Sequence, residues 1–517
     1  MIRACAARQF LSHAVSGKER YCWKAHEISR GDIMTVPDDS VLIEKEEGDS
    51  MISLLLSFAV LIVGYCVYGR IVERVFGPDD RETPAVRIND GVDNVPMKTW
   101  KAFLVQLLNI AGTGPIFGAL MGACFGPIVF LWIIFGSVLG GAVHDYMVGM
   151  ISERNDGKSI AELSGIYLGN VAKWGMRFFS ILLLLLTGTV FVTSPAALIA
   201  GLTPDTLNMQ FWIVVILLYY ILATLLPIDK IIGRIYPVFG ITLIIMALGI
   251  IIGIIAGGYV IPEITFENLH PEGLPVWPYM FVTVACGAIS GFHATQSPLI
   301  SKCLKTEQEG RKVFYGAMIC ESVIALVWAA GGVAFYGTTG GLHEAISSLG
   351  QSGTVYAIST GLLGTVGGIL AIIGVVACPI TSGDTAFRSA RLILAEMFGL
   401  SQKPIRNRLL ITIPLLAGGA VLTQLDFNVL WRYFSWSNQT LAMISLWVAT
   451  AYLLKNAGNK AYSLMTALPA TFMSGVSMTY IMMAKEGFRI SSTIAYPVGL
   501  ILAASFFVIY LVRLRKA

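Results

Sequence analysis

Charge is what this chain most lacks. Only 13% of its 517 residues are Asp, Glu, Lys or Arg, roughly half the share of an ordinary soluble domain. The basic residues that remain are scattered through short connections, which excludes a nucleic-acid patch. The eight Cys include no C-x-x-C pair and no metal-ligand spacing. Cys66, Cys124, Cys286, Cys303, Cys320 and Cys378 lie in or beside apolar segments and read as small reduced packing residues. Also missing are a nucleotide-binding Gly-rich loop, an H-E-x-x-H helix and a nucleophile elbow. No enzyme chemistry and no cofactor is therefore expected, and any work the chain does must draw on ion gradients.

What the chain has instead is apolar length. Hydrophobic residues make up 55% of it and the mean hydropathy is +0.71. Crossing ~30 Å of hydrocarbon takes roughly 20 apolar residues in a helix. Such segments recur at 51–70, 98–121, 125–151, 174–201, 209–227, 232–258, 276–300, 312–337, 354–380, 407–424, 428–454, 461–484 and 494–514. An all-α bundle of about thirteen spans embedded in a lipid bilayer is expected.

Lys and Arg alternate between connections. The connections at 202–208, 259–275 and 338–353 contain none, while the others carry Arg70, Arg74, Arg81, Arg154, Lys158, Lys302, Lys305, Arg406, Lys455 and Arg515 among others. The positive-inside rule makes the rich set cytoplasmic, with the C-terminus inside and Met51 outside. Residues 1–50 hold seven Lys or Arg and no apolar core of a signal peptide. They read as a dispensable or disordered leader ahead of a natural start at Met51.

Two spans are interrupted by residues that do not favour helix. The second contains N-I-A-G-T-G-P (Asn109 to Pro115), and the seventh contains A-C-G-A-I-S-G-F-H-A-T-Q-S-P (Ala285 to Pro298). Gly frees the backbone and Pro lacks an N–H. At membrane depth, broken backbone is tolerated where it is enclosed by protein or lines a wet cavity. Breaks five spans apart, entering from opposite sides, fit an inverted repeat with substrate at the midplane. The expected substrate site comprises Asn109, Gly112, Thr113, Gly114, Ser290, Gly291, His293 and Gln296. Asn438 and Gln439, from the polar belt W-S-N-Q-T of the eleventh span, complete it; in the alternative reading that belt bonds to neighbouring helices. Leu in place of Gly112 or Gly291 is expected to abolish binding and leave the fold intact.

Hard oxygens mark a cation site. Thr381, Ser382 and Asp384 end the ninth span and are expected to meet freed carbonyls around Ala111. In the alternative reading, Ser382 or Asp384 caps a helix over 385–398, with Asp384 paired to Arg388 one turn on. Asp145, Glu321 and His293 are the candidate proton carriers, because an ionisable group costs free energy in the apolar bundle. Each has a structural alternative, a pairing or a satisfied hydrogen bond.

These same segments, with V-F-G-P-D-D-R-E-T-P-A (Val75 to Ala85), H-D-Y-M (His144 to Met147), F-Y-G-A-M (Phe314 to Met318), A-C-P-I-T-S-G-D-T-A-F-R-S-A-R from Ala377, and W-R-Y-F-S-W-S-N-Q-T-L-A (Trp431 to Ala442), closely resemble the carbon starvation protein family from Met51 to about residue 484. The family often has Gln where this chain has His144. The resemblance implies a secondary transporter of the cytoplasmic membrane that imports peptides or pyruvate with a proton or sodium ion. It also implies a leucine-transporter-like five-plus-five core, here 98–454, preceded by one span and its cytoplasmic loop (51–97) and followed by two spans (455–517). The rival classes are a nutrient sensor or receptor, and a channel.

Overall fold

The computed structural model describes residues 51–91, 94–225 and 228–516, and the expectation for residues 1–50 lies outside them. The described chain is helical, with no strand. In chain order the helices are α1 (Ile52–Phe76), α2 (Thr99–Ile110), α3 (Gly114–Ala123), α4 (Val129–Arg154), α5 (Ile160–Leu168), α6 (Asn170–Leu202), α7 (Met209–Leu225) and α8 (Ile228–Ala256). They continue as α9 (Val276–Thr283), α10 (Gly291–Ser301), α11 (Glu307–Tyr336), α12 (Thr339–Phe398), α13 (Ile405–Leu422), α14 (Phe427–Asn456), α15 (Leu464–Met483) and α16 (Ser492–Lys516).

Among the described residues eight helices are long and apolar enough to cross a membrane, or nine with the bent pair α2 and α3 taken as one span. The other expected spans fall on α7, which is short, on the interrupted pair α9 and α10, and on the more polar α14 and α15. Burial sorts centre from rim. In α4 and α11, 83% of the most apolar window is buried, against 22% in α16 and 28% in α1. The rim helices turn Leu55, Leu56, Ile62, Leu500, Ile501 and Val508 outward. A continuous exposed apolar surface of this kind is a lipid face.

Connections of like charge content meet on the same side. On the basic side, Glu307 accepts from Arg154 Nε at 2.8 Å and from the Asp79 amide at 2.8 Å, and Arg311 donates to Glu73 at 2.7 Å. On the other side, Glu263 accepts the first free amides of α1, Ile52 at 2.9 Å and Ser53 at 2.8 Å. That is a charge-assisted cap at the positive end of a helix dipole. The Leu269 amide reaches Phe125 O at 3.2 Å, and Thr339 Oγ1 donates to Leu269 O at 2.8 Å.

The ninth span differs from expectation. α12 kinks at Gly350 (φ 70°) and Gly364 (φ 60°), both in the left-handed region that glycine adopts without a Cβ clash. The piece ahead of Gly364 docks on other helices, with Ser352 Oγ donating to Ser194 O at 3.1 Å and Gln351 Nε2 to Asn428 Oδ1 at 3.2 Å. The uninterrupted helix that carries A-C-P-I-T-S-G-D thus starts after Gly364 rather than at 354, and it runs on to Phe398. Ser382 and Asp384 lie inside it and cap nothing, because Cys378–Phe398 is helical without interruption.

Candidate functional site

The first interruption covers Ala111–Thr113, between α2 and α3. Pro115 occupies the first turn of α3, where its missing N–H costs nothing. Ala111 and Thr113 are fully buried. A Cβ on Gly112 would lie 2.6 Å from Phe191 Cζ, so the aromatic ring rests directly on the backbone here. Asn109 Oδ1 and Thr113 Oγ1 are buried without a hydrogen-bond partner.

The second interruption covers residues 284–290, between α9 and α10. Asn438 Nδ2 donates to Ala285 O at 2.9 Å, while Asn438 Oδ1 accepts from the Phe292 amide at 2.6 Å and from Ser290 Oγ at 3.2 Å. Gln439 Nε2 donates to Phe281 O at 2.9 Å. Sequence reasoning placed Asn438 and Gln439 on a cavity wall. In the structure both also bond backbone groups that the broken helix frees, which would otherwise be buried unpaired, as in the alternative reading of the belt. The two interruptions touch. A Cβ on Gly114 would collide with the Cys286 side chain, and one on Gly118 would lie 3.2 Å from Thr283 O.

Beside the second interruption lies a chain of ionisable side chains from α4, α10 and α11. His144 Nδ1 and His293 Nδ1 each lie 2.8 Å from a different oxygen of Asp145. His293 Nε2 lies 3.3 Å from Glu321 Oε2, without the alignment of a hydrogen bond. All four side chains are fully buried. Asp145, a candidate proton carrier with a structural pairing as the alternative, lies between two histidines. An ionised Asp145 can only accept, so each Nδ1 carries a proton. In neutral His293 the Nε2 lone pair then faces the Glu321 oxygens, two acceptors opposed. Such an arrangement needs a proton or a cation between them.

The expected cation ligands divide. Ser382 Oγ donates to Leu108 O at 3.0 Å, one turn before Ala111. Thr381 Oγ1 donates to Cys378 O of its own helix at 2.7 Å. Asp384 Oδ2 lies 3.5 Å from Arg388, the one-turn pairing of the alternative reading. Positions two apart on a helix point to different faces, so the face that presents Ser382 to α2 does not present Asp384. Gln296 Nε2 bonds Thr295 Oγ1 at 2.9 Å and leaves Oε1 without a partner.

Gly291 requires a correction. A Cβ there would lie 2.5 Å from the Ala442 amide nitrogen and closer still to Asn438 O, both backbone atoms that cannot yield. Leu at this position unseats α10 from α14 and cannot leave the fold intact. Sequence reasoning read Cys286 only as a packing residue and passed over Phe191, which rests on Gly112, and Tyr220, whose ring lies against Gly383. Cys286 stands inside the second broken segment, and that placement was the available signal. The two aromatics belong to apolar spans and give none.

The sequence profile of the carbon starvation protein CstA family matches residues 49–204, 201–336 and 329–480. The chain belongs to this family. The CstA-family stretch contains both interruptions and all four members of the ionisable chain, while α16 lies beyond it. An uncharacterized membrane protein of Haemophilus influenzae is 42% identical over 351 residues, 58% of this chain and 95% of its own length. A Bacillus subtilis relative named peptide transporter CstA is 26% identical over 525 residues, covering 81% of this chain and 88% of that protein. The Escherichia coli pyruvate/proton symporter BtsT is 29% identical over 345 residues, 53% of this chain and 48% of that relative.

Proposed function

We propose that this CstA-family chain is a secondary active transporter of the cytoplasmic membrane. It imports a small nutrient bearing a carboxylate, a peptide or pyruvate, together with a proton, by alternating access. The observation that carries this reading is the juxtaposition at the centre of the bundle: two interrupted helices in contact, with Asp145, His293 and Glu321 buried beside them. The names of the Bacillus subtilis and Escherichia coli relatives agree with it. The N-terminus of α3 supplies a positive dipole end for the carboxylate, and Asn109, Thr113 and Gln296 supply buried oxygens without partners. A proton between His293 Nε2 and the Glu321 carboxyl turns two opposed acceptors into a donor and an acceptor. Its loading and loss, tied to which side the site opens toward, supply the coupling. The basic connections and the C-terminus face the cytoplasm, and the core is the five-plus-five repeat over 98–454.

A sodium ion is the second reading, favoured by Ser382 Oγ at 3.0 Å from the Leu108 carbonyl. Uptake of labelled pyruvate and dipeptides into proteoliposomes, with a proton or a sodium gradient imposed separately, tests both. A proton gradient is expected to drive accumulation. In Glu321→Gln and Asp145→Asn, gradient-driven accumulation is expected to fall more than substrate-for-substrate exchange, because a coupled ion must bind the loaded and empty states differently. Accumulation at the parent level in both variants would remove the acidic groups from the coupling. Saturable binding without uptake would make the protein a sensor, and conductance without saturation a channel.

A further inference from the structure

Cys286, His293 and Glu321 each offer one ligand atom, and these atoms lie within 4.8 Å of one another in a fully buried cluster. We propose that they form a binding site for a borderline transition-metal ion of the zinc class. The site stands apart from the cation site sought among the hydroxyls of α12.

The donor set selects the metal. A thiolate, an imidazole and a carboxylate together suit Zn²⁺ and its neighbours, whereas Na⁺, Mg²⁺ and Ca²⁺ take oxygens alone. His293 is already arranged as a ligand. Its Nδ1 donates to Asp145 at 2.8 Å, and Asp145 is held in turn by His144 at 2.8 Å. A carboxylate on the far ring nitrogen fixes the tautomer and turns the lone pair of Nε2 toward the metal. Nε2 and both Glu321 oxygens are buried without a hydrogen-bond partner, so a metal displaces no existing bond from them. Cys286 Sγ gives up a weak contact to Ser290 Oγ at 3.4 Å and accepts from Asn438 Nδ2 at 3.6 Å. Three protein ligands leave a fourth tetrahedral position open. Binding requires the three ligand atoms to close from separations of up to 4.8 Å onto one ion. Binding releases the Cys286 thiol proton. It also occupies the groups assigned the coupling proton, so metal and proton exclude each other there. The binding claim itself does not depend on transport.

The test uses the full chain purified in detergent, stripped with a chelator and then loaded with Zn²⁺ or Co²⁺. One equivalent of metal per chain is expected, with a near-ultraviolet thiolate-to-Co²⁺ absorption that disappears in Cys286→Ser. Asp145→Asn is expected to weaken Zn²⁺ binding by about 10–100-fold through loss of the ring's carboxylate partner. Peptide-level alkylation of the unmutated chain gives a reading free of folding effects. Zn²⁺ is expected to protect Cys286 while leaving Cys66, Cys124, Cys303, Cys320 and Cys378 unchanged. No retained metal, absorption that persists in folded Cys286→Ser, or equal alkylation of Cys286 with and without Zn²⁺ would overturn the proposal. Zn²⁺ that binds as expected but leaves proton-driven uptake untouched would instead count against the proton assignment of His293 and Glu321.

Discussion

Between α2 and α3 the backbone leaves its helix over Ala111–Thr113, and the recorded side-chain bond to a freed carbonyl there is Ser382 to Leu108 O. Between α9 and α10 it leaves over residues 284–290, and Asn438 alone joins Ala285 O, Ser290 Oγ and the Phe292 amide. The backbone of the second interruption is therefore tied to α14, while the side chains beside it, His293 Nε2 and both Glu321 oxygens, have no hydrogen-bond partner. The first retains buried oxygens without partners on Asn109 and Thr113. Buried polar groups are almost always paired, so a place where they are not is a place prepared for a partner that comes and goes. Under the proposed function, the backbone of the second interruption is the frame that holds the ionisable chain, whose unpaired atoms take the ion, and the unpaired oxygens of the first grip the solute.

The harshest trial of that division is Gly291→Ala. The added Cβ meets backbone on α14, so the cost should reach or pass the ~3 kcal/mol upper end of ordinary overpacking. The expected result is loss of monodisperse, folded protein. At Gly112 the obstacle is the Phe191 ring, a side chain able to rotate. Gly112→Ala should fold and show altered substrate affinity. A Gly291→Ala protein that melts like the parent would dissolve the contrast between frame and grip.

A gentler pair sharpens it. Asn438→Ala strands the Ala285 carbonyl and the Phe292 amide in a buried site, at about 1–3 kcal/mol for each group left unsatisfied. Thermal unfolding in detergent should show a clear drop. Asn109→Ala removes an oxygen that has no partner in the protein. Its melting temperature should stay much closer to the parent, while substrate binding weakens. The reverse ranking would mean that the first interruption, not the second, supports the fold.

The sequence made the helices and their interruptions legible because apolar length, Gly and Pro act locally. N-I-A-G-T-G-P announces its break wherever the chain goes. It also exposed the costly groups, since Asp145, His293 and Glu321 stand out against an apolar background. What it could not show was who meets whom. Asp145 and His293 are far apart in the chain, and their 2.8 Å bond exists only because α4 packs against α10. The kink at Gly364 was hidden because this glycine sits in an apolar stretch that reads as span on either side. Whether Asn438 would serve as a backbone clamp stayed open for a related reason. A polar residue inside a span looks the same whether it serves a ligand or a neighbouring helix.

The smallest effect is expected from Ser382→Ala, and it bears on the ion at the first interruption. The hydroxyl makes one recorded bond, to Leu108 O at 3.0 Å. Its loss should cost about 1 kcal/mol of stability, a modest shift in melting. If a sodium ion were the coupling ion, Ser382 would be its ligand beside the Leu108 carbonyl, and Ser382→Ala would raise the sodium concentration needed for half-maximal uptake. In the proton reading, uptake driven by a pH gradient keeps its dependence on external pH in Ser382→Ala, while Glu321→Gln flattens it. Measuring that pH profile in the two variants side by side asks the question of each interruption separately. A flattened profile in Ser382→Ala together with an unchanged one in Glu321→Gln would move the coupling ion from the second interruption to the first.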